Sequence, residues 1–253
     1  MKKAFIVTSA IEVNNNNPLT YSKVRSYFSN EERFRQTVAT IATLDLVSDA
    51  DTTIYLLDTS ENWQQYRNIL SYQKNLKFIS IKEEFPEKYE TVTTHPQKSY
   101  CECLFVSTFM RKYQKELFEN DYILKMSGRY LLDKSFDPVL LNKYNTDKIF
   151  FKHPIKWEWS DTWQYSLVDR RQDQGDNKLC QYSSVLFGWG KKHHKHFMDL
   201  WTGMAAMLVL PHMSHFDIET LGYYLIRPFE RDIIETDWNV YGWLGPTGDF
   251  TRY

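Results

Sequence analysis

The sequence predicts an α/β fold, with a mainly parallel central sheet flanked by helices in a single domain. Two observations lead to this prediction. Short apolar runs alternate with longer amphipathic segments through the first half of the chain, and this order is typical of strands joined by crossover helices. The chain has 253 residues and is 42% hydrophobic, so it can bury one sizeable core.

Four apolar runs are the predicted strands of this sheet. In chain order they are KAFIVTSA, TTIYLLD (which ends at Asp58), LKFISI and YILKM. The last run ends directly before Ser127 and Gly128, which predict a turn. Ligands bind beyond the carboxyl ends of parallel strands in such folds, so the residues that follow these runs are the first candidates for a site.

Three segments between the runs are predicted helices. SNEERFRQTVATIATLDLVSD begins with a Ser-x-x-Glu cap at Ser29 and Glu32. SENWQQYRNILSYQ is predicted to be a helix capped by Ser60, and SYCECLFVSTFMRKYQKELFEN is predicted to be one amphipathic helix. The second half of the chain is less periodic and has one clear helix in HKHFMDLWTGMAAMLVL. We predict two functional halves within one domain, about 1–135 and about 136–253.

Charge and composition exclude several classes of protein. The formal net charge is -1, so nothing drives the whole chain toward nucleic acid or an anionic membrane. No apolar stretch reaches the roughly 18 residues of a membrane helix, and the apolar run in MKKAFIVTSAIEV is too short for a signal peptide. The three cysteines lack zinc-ligand spacing and suit reduced thiols. We therefore predict a cytoplasmic protein with no nucleic-acid partner and no membrane span.

Three segments, taken in order, resemble the GT-A family of nucleotide-diphospho-sugar glycosyltransferases. They are the strand-one segment FIVTSAI, the strand-two end YLLDTSENW, and the unit KSYCECLFVSTFMRKYQKELFENDYILKMSGRYLL. The second is similar to the element "vvDngStD", whose aspartate contacts the nucleotide base. The third lies over the unit that carries the DxD metal motif. The resemblance covers about residues 4–135, and the strand end Lys-x-x-Gly-Arg-Tyr resembles a branch of bacterial and large-DNA-virus sugar transferases.

The resemblance implies a GT-A-like, Rossmann-related fold and a hexosyl- or pentosyltransferase. Its donor would be a UDP- or GDP-sugar, and its acceptor a glycan, a glycoprotein or another hydroxyl compound. The first half of the chain would bind the donor and the second half the acceptor, in the host cytoplasm if the source is a virus. The alternative is a non-catalytic nucleotide- or carbohydrate-binding module on the same fold, for which loss of the DxD motif would be natural.

The two DxD positions fall on Ser127 and Arg129. A DxD motif stabilises the leaving diphosphate through a divalent cation, whereas Arg129 can donate two hydrogen bonds to phosphate oxygens and Lys125 adds a positive charge. We predict that these cations replace the metal, and we assign no metal ligand; Mn²⁺ or Mg²⁺ held by other carboxylates is the alternative. The structural alternative pairs Arg129 with Asp133 or Asp137. The predicted donor residues of this segment are Lys125, Ser127, Gly128 and Arg129.

Four further residues are candidates for the donor site. Thr8 and Ser9 end the first strand and Asp58 ends the second. Lys98 precedes the helix CECLFVSTFM, where it could approach a phosphate at the helix N-terminus. The alternatives are strand capping for Thr8 and Ser9, and capping of the next helix for Asp58.

The candidate catalytic base lies in HMSHFDIETLGYYLI, at Asp217 or Glu219. This segment is similar to the "ED..L..R" segment that carries the base in inverting relatives, although here an isoleucine separates the two acids. Such a carboxylate would take the proton from the acceptor hydroxyl. In the structural alternative, Asp217 caps a helix and Glu219 stabilises its first turn.

The second half of the chain also contains the candidate acceptor site. WEWSDTW brings together Trp157, Trp159 and Trp163, whose rings can stack on the apolar faces of sugars; the alternative is an aromatic cluster on an edge strand. The basic run GKKHHKHF is predicted to be a solvated helix start. YGWLGPTGDF is predicted to be a loop that closes over the donor or, alternatively, a tail.

Overall fold

Seven strands form the central sheet of the computed structural model, which describes residues 1–20, 22–158, 178–213, 216–244 and 247–252. Side by side, they are β10 (Ile233–Thr236), β6 (Ile149–Lys152), β9 (Leu186–Gly190), β4 (Tyr122–Ser127), β1 (Lys3–Ser9), β2 (Thr52–Asp58) and β3 (Leu76–Ser80). Every neighbouring pair is parallel except the two made by β9, which runs antiparallel to β4 and β6. The predicted α/β class with a mainly parallel central sheet is confirmed.

The four predicted strands end together at one edge of this sheet. Ser9 at the end of β1 is in register with Asp58 at the end of β2. Asp58 is in register with Ser80 at the end of β3. On the other side of β1, Thr8 is in register with Ser127 at the end of β4. The residues that follow these strands therefore meet at this carboxyl edge.

Two hydrophobic cores lie on the two faces of the sheet, because successive side chains of a strand point to opposite faces. On β1, Ala4 and Ile6 belong to one core, and Phe5 and Val7 belong to the other. The first core is covered by α3 (Ile81–Glu84), α4 (Pro86–Thr94), α5 (Lys98–Lys112), α6 (Gln114–Leu117), α7 (His194–Leu208) and α8 (Ile218–Ile226). The second is covered by α1 (Asn30–Asp45) and α2 (Trp63–Leu70). None of the helices in the described ranges is long and apolar enough to cross a membrane.

Two small sheets accompany the central one. β5 (Tyr130–Leu132), β11 (Val240–Trp243) and β12 (Phe250–Arg252) form the first, in which β11 pairs antiparallel with both neighbours. β7 (Ile155–Glu158) and β8 (Lys178–Gln181) form the second, also antiparallel. Because β5 follows directly after the end of β4, the first small sheet lies next to the carboxyl edge of the central one.

Helix boundaries agree with the sequence at some points and differ at others. The capping box at Ser29 and Glu32 is present at the start of α1. Ser60 does not cap α2, because its hydroxyl accepts a hydrogen bond of 3.0 Å from the backbone N–H of Glu12 and the helix begins later. The helix predicted over 99–120 is divided into α5 and α6 at Tyr113, whose ψ of 17° is not helical.

The basic run before α7 is the third difference. His193 and His194 are buried, with exposed fractions of 2% and 1%, so this helix start is not fully solvated. His194 Nε2 lies 2.8 Å from the carbonyl oxygen of Asn120, and burial lowers the pKa of its imidazole to about 4. His193 Nε2 lies 2.9 Å from the carbonyl oxygen of Asp147, so the two histidines contact the segments before β4 and β6, while neighbouring lysines are exposed.

Candidate functional site

A cavity of about 620 Å³ opens at the carboxyl edge of the sheet. Its walls come from the ends of β1 and β4, from the loops after β1 and β2, and from α1, α4 and α5. The predicted donor residues that line it are Thr8, Ser9, Lys98, Ser127 and Arg129. The structure thus brings together five candidates from three distant parts of the chain.

Asp58 does not line this cavity but holds two of the loops that do. Its side chain is fully buried, and it accepts hydrogen bonds from the backbone N–H groups of Ile11 (3.0 Å) and Ser60 (2.8 Å). Burial raises the pKa of the Asp58 carboxyl group, and these hydrogen bonds oppose that rise. The alternative role as a helix cap is not observed, since Asn62 holds the N-cap position of α2. Asp58 instead ties the loop after β1 to the loop after β2.

Gly128 lets the end of β4 lie directly against the end of β1. Its backbone N–H donates a hydrogen bond of 2.8 Å to the carbonyl oxygen of Thr8. A Cβ atom at this position would lie 2.9 Å from that oxygen and 3.2 Å from Cβ of Ser9. A glycine is required here by close backbone approach, and the next residue, Arg129, is thereby directed to the cavity wall.

Arg129 is held by the backbone of the neighbouring small sheet. Its Nε donates a hydrogen bond to the carbonyl oxygen of Trp243 at 3.3 Å. The alternative pairing with an aspartate is not observed, because Asp133 forms an ion pair with Arg252 at 3.1 Å and the carboxylate of Asp137 accepts from a backbone N–H. In the described part of the chain, no carboxylate lies within ion-pair distance of Arg129. Its guanidinium group is therefore oriented and still able to bind an anion.

Three further cations line the same cavity: Arg33 of α1, Lys98 of α5, and Arg25, whose guanidinium group already donates to the carbonyl oxygens of Asn17 and Thr94. Arg33 is 3% exposed, and its Nη1 donates to Oγ of Ser26 at 2.9 Å. Burial lowers the pKa of the Arg33 guanidinium group, and the charge of Arg129 lowers it further. Lys98 reaches solvent within the cavity, but the surrounding walls desolvate its ammonium group and, together with the charge of Arg129, lower its pKa to about 8. Among Arg33, Lys98 and Arg129, the positive charge of each group therefore disfavours the charged form of the others, and a bound anion would reduce this repulsion.

The carboxylate of Glu102 lines the cavity between these cations but is already engaged. It lies 2.5 Å from Nζ of Lys125, and Oγ1 of Thr8 donates to it at 3.0 Å. Burial raises the pKa of the Glu102 carboxyl group, but the charges of Lys125 and Lys98 outweigh this effect and lower it. Glu102 is thus an ionised wall residue.

Lys125 lies behind the cavity wall and does not line it. Its side chain has an exposed fraction of 0%. Besides the carboxylate of Glu102, its Nζ contacts the carbonyl oxygen of Ser184 at 2.7 Å and Oγ of Ser127 at 3.2 Å. The predicted direct contact of Lys125 with a diphosphate would require these partners to move apart.

Asp217 and Glu219 lie at the start of α8 and differ in their partners. Asp217 caps the helix, since its Oδ1 accepts from the backbone N–H of Thr220 at 2.7 Å, and its Oδ2 accepts from Nε2 of Gln181 at 2.8 Å. The structural alternative proposed for Asp217 is therefore observed. The carboxylate of Glu219 accepts a hydrogen bond from the hydroxyl of Ser184. Burial, and after it the charge of Asp217, raise the pKa of Glu219 to about 7.

The start of α8 is joined to the start of α5, which borders the cavity. The backbone N–H of Ile218 lies 3.3 Å from Oγ of Ser99. Neither Asp217 nor Glu219 lines the cavity, but the charge of Glu219 raises the pKa of Lys98, so the two groups interact. Of the two candidate bases, Glu219 has the environment that a base working near neutral pH needs.

The predicted acceptor residues lie mostly beyond the described structure. Trp157 belongs to β7, where it pairs with Leu179 of β8. Trp159 and Trp163 lie outside the described residues. The acceptor site therefore stays a prediction.

The residues at the end of β4 do not fit a divalent cation. Ser127 offers one hydroxyl oxygen and Arg129 is itself a cation, whereas Mg²⁺ and Mn²⁺ prefer carboxylate, carbonyl and water oxygens. Within the ranges that the structure describes, no cluster of three or more His, Cys, Asp or Glu side chains could hold a metal ion. We derive no step of the chemistry through a metal.

Glu102 is a site residue that the sequence did not single out. For Arg33 and Arg35 of α1 the sequence favours a solvated helix face, with contact of one of them with the nucleotide as the alternative. In the structure Arg33 is buried at the cavity, whereas Arg35 is exposed and pairs with Glu31. The signal for Glu102 was its position one turn after Lys98, on a helix whose surrounding residues are apolar and buried. A charged residue in such a helix needs a partner, and Lys125 is that partner.

Comparison with known proteins returned structural similarities only, since no protein-family model and no curated protein sequence matches the chain. The glycosyltransferase GlyE of Streptococcus pneumoniae TIGR4 is similar at 10% identity with a TM-score of 0.46, over 94% of this chain and 45% of that one. Its apo form is similar at 12% identity with a TM-score of 0.46, over 93% and 45%. The apo form of mouse xyloside xylosyltransferase 1 is similar at 8% identity with a TM-score of 0.49, over 94% and 86%.

This chain therefore spans less than half the length of the pneumococcal protein. At these identities and TM-scores, the similarities do not bear on the activity of this chain.

Proposed function

We propose that the protein is a glycosyltransferase whose donor is a nucleoside-diphosphate sugar. The observation that carries this proposal is the convergence of Arg33, Lys98 and Arg129 on one cavity at the carboxyl edge of a mainly parallel sheet. Ligands of such folds bind at this edge, and three cations close enough that their charges lower the pKa values of Arg33 and Lys98 favour a ligand with more than one negative charge. The carboxylates of Glu12, Glu61 and Glu90 also line the cavity, so the match depends on this local group of cations and not on the charge of the whole lining. The order of segments that resembles the GT-A family leads to the same class of ligand.

The diphosphate would bind next to the end of β4. Arg129 donates a fork of hydrogen bonds to phosphate oxygens, while Lys98 contributes a point charge. The donor's glycosidic bond to the diphosphate breaks during transfer, and negative charge grows on the leaving group. Cations that are already oriented, as Arg129 is by the carbonyl oxygen of Trp243, stabilise this charge without first having to reorganise.

The nucleoside would occupy the rest of the cavity, beyond the ends of β1 and β2. Thr8, Ser9 and the loop after β1 line this part, although the hydroxyls of Thr8 and Ser9 already contact Glu102 and Thr37. Asp58 holds that loop in place through the N–H of Ile11. UDP and GDP are the two nucleotides that the resemblance implies, and a hexose or a pentose is the sugar.

Glu219 is the base of the proposed reaction. Its carboxylate would take the proton from the acceptor hydroxyl as that oxygen bonds to the anomeric carbon of the sugar and the diphosphate departs with the bonding electrons. A pKa of about 7 leaves a large fraction of Glu219 ionised at neutral pH. Asp217 would act by capping α8 and by its charge. The acceptor, a glycan or glycoprotein hydroxyl, would approach from residues 136–253, where Trp157, Trp159 and Trp163 are the predicted contacts.

The proposal is tested by calorimetry with UDP, GDP and their sugars, followed by assays of sugar transfer and donor hydrolysis. We expect one nucleoside diphosphate to bind with a dissociation constant well below millimolar. Absence of binding of all these ligands at millimolar concentration would overturn the proposal. Tight binding with neither transfer nor hydrolysis, over a panel of glycan acceptors, would instead favour the non-catalytic module.

A further inference from the structure

Lys125 contacts three parts of the molecule that are distant in the sequence. Its fully buried ammonium group contacts Glu102 of α5 (2.5 Å), Ser127 at the end of β4 (3.2 Å) and the carbonyl oxygen of Ser184 before β9 (2.7 Å). Three partners saturate the three N–H donors of an ammonium group. The side chain therefore has no donor left for a ligand in the cavity.

Two of these partners are residues of the cavity wall, and the third is in contact with the candidate base. Glu102 and Ser127 line the cavity. Ser184 accepts from Lys125 through its carbonyl oxygen and donates through its hydroxyl to the carboxylate of Glu219. Ser184 therefore contacts Lys125 through its backbone and Glu219 through its side chain.

We propose that Lys125 is a positioning residue of the transferase, and that it fixes Ser184 so that the hydroxyl of Ser184 holds the carboxylate of Glu219 beside the donor cavity. This inference rests on the proposed function, because it assigns Lys125 a role in presenting the proposed base. It differs from the direct phosphate contact that the sequence predicts for Lys125.

Burying the ammonium group of a lysine costs free energy, so the partners that offset this cost indicate the role of Lys125. An ammonium group without partners in the interior loses its hydration, so it persists only when its charge and donors are satisfied. Glu102 supplies the charge, and the cavity wall and Ser184 supply the remaining acceptors. A neutral side chain could fill the space, but it could not hold both the wall and Ser184.

Several charged or ionisable groups face Glu219 and must be considered in any test of its protonation. Asp217 and Glu102 raise its pKa by repulsion, and the hydrogen bond from Ser184 lowers it. Lys98 and Cys103 of α5 also interact with its charge. A change at Ser184 should therefore appear in the pKa of Glu219 in a known direction, because the hydroxyl stabilises the ionised form.

The experiment uses Lys125→Met, Ser184→Ala and the double variant. The pKa of Glu219 is followed by NMR of protein labelled with ¹³C at glutamate Cδ, with Glu219→Gln to assign the resonance. Turnover is measured in parallel with the donor that binds. We expect both single variants to raise the pKa of Glu219 and to lower kcat by up to roughly 100-fold, since displacing a reacting group by about an ångström costs that much.

The double variant shows whether Lys125 acts through Ser184. If it does, Lys125→Met should have much less effect in the Ser184→Ala background than in the wild type, because residues of one chain of contacts are not additive. Ser184→Thr, which keeps the hydroxyl, should restore most of the loss. Independent, additive effects of the two substitutions on the pKa of Glu219 would overturn the proposal, as would an unchanged pKa in both single variants.

Donor affinity separates positioning from phosphate binding. For this measurement Lys125→Met is made in a Glu102→Gln background, to avoid an unpaired carboxylate in the cavity wall. A positioning role predicts that it leaves the dissociation constant of the nucleoside diphosphate within about threefold of that of Glu102→Gln alone, whereas loss of a charge-assisted phosphate contact would weaken binding by roughly 10- to 100-fold. Lys195→Met is the matched control, because Lys195 is exposed and pairs with Asp199 on its own helix. A loss of affinity as large as that of Arg129→Ala would contradict the proposal.

Lys125→Met leaves Glu102 without its cation, and an unpaired buried charge lowers stability and can prevent folding. In that case the cycle is repeated in a Glu102→Gln background, which removes the unpaired charge, and Ser184→Ala and Ser184→Thr still report on the link to Glu219. The NMR titration needs no substrate. A protein that binds no nucleotide would refute the proposed function, while the pKa of Glu219 would still decide whether Lys125 and Ser184 set its environment.

Discussion

The backbone N–H of Gly128 lies 2.8 Å from the carbonyl oxygen of Thr8, and this contact closes the gap between the ends of β4 and β1. Gly128→Ala should lower the free energy of unfolding by about 1–3 kcal/mol, as overpacking does, because the new Cβ would meet that oxygen at 2.9 Å. Denaturant unfolding measures the loss. Donor affinity should also fall, since Arg129 follows directly on the moved backbone.

Gly203 provides the matched control for that substitution. It lies within α7, and a Cβ atom there would meet nothing within 4 Å. Gly203→Ala should raise the free energy of unfolding by about 0.5–1 kcal/mol, because alanine loses less backbone entropy in a helix. Equal destabilisation by both substitutions would show that the contact between Gly128 and Thr8 is not the cause.

Arg129→Ala should weaken binding of a nucleoside diphosphate far more than binding of the nucleoside. Losing a charge-assisted hydrogen bond costs about 1.5–3 kcal/mol, which is roughly 10- to 100-fold in affinity. Arg129→Lys should recover part of this loss, since lysine keeps the charge without the fork. Calorimetry measures both ligands, and Arg35→Ala serves as the control because Arg35 is exposed and pairs with Glu31. A similar loss for nucleoside and diphosphate would place Arg129 away from the phosphates.

Transfer or donor hydrolysis should persist in EDTA, because the end of β4 presents Ser127 and Arg129 in place of metal-binding carboxylates. The measurement is the initial rate before and after chelation, with Mn²⁺ or Mg²⁺ added back. If chelation abolishes activity and Mn²⁺ restores it, a metal held by other carboxylates stabilises the leaving diphosphate. Asp133 and Asp137 then become the first ligands to test.

Glu219→Gln should lower turnover by about 10²–10⁴-fold while sparing donor affinity, as removal of a general base does. In the wild type, kcat should rise with pH through about 7, because the base acts in its ionised form. The pH profile of kcat measures this limb. A profile that is flat from pH 5 to 8 would exclude Glu219 as the base.

The raised pKa of Glu219 also predicts a stability effect with a definite sign. The folded protein holds the Glu219 proton more tightly than the unfolded chain, so this group favours folding at low pH, and the benefit is lost as pH rises through about 7. Glu219→Gln, which stays neutral, should therefore raise the melting temperature more at pH 8 than at pH 5. Thermal unfolding at the two pH values is the measurement, and the reverse order would contradict the burial of Glu219.

Asp217 should show the opposite pattern to Glu219. Asparagine is as good an N-cap as aspartate, so Asp217→Asn should keep α8 stable, whereas Asp217→Ala should cost about 1 kcal/mol. Because the charge of Asp217 raises the pKa of Glu219, Asp217→Asn should move the kcat limb to lower pH. A loss of turnover by Asp217→Asn as large as that by Glu219→Gln would instead make Asp217 the base.

The strand ends could be predicted from the sequence because they depend on local signals. Apolar runs bounded by turn residues set β1 to β4. Side chains alternate along a strand, so Lys125 and Ser127 share one face, and their side chains are in contact at 3.2 Å. The glycine after β4 marks a turn in any sequence. The site at the carboxyl edge follows from the parallel order of these strands.

The remaining residues of the site depend on packing between distant segments, which local signals do not carry. Whether Arg33 or Arg35 turns inward is decided by the rotation of α1 against the sheet. Lys125 is closed off from the cavity because α5 and the segment before β9 pack across it. The sequence of β4 contains neither of these neighbours. It therefore predicts a cation at the strand end but not that this cation is buried behind the cavity wall.

The reversed direction of β9 has a consequence for how such a protein can change its chemistry. Leu186 at the beginning of β9 pairs with Met126 near the end of β4, and the N–H of Ser127 donates to the carbonyl oxygen of Val185 at 2.9 Å. A parallel strand brings to this edge only the residues that come after it, whereas β9 brings the residues that come before it. Ser184 thus reaches this edge from the opposite direction along the chain to the loops that line the cavity. If the protein is the proposed glycosyltransferase, changes in the segment before β9 would alter the surroundings of the base and leave the loops of the donor cavity unchanged.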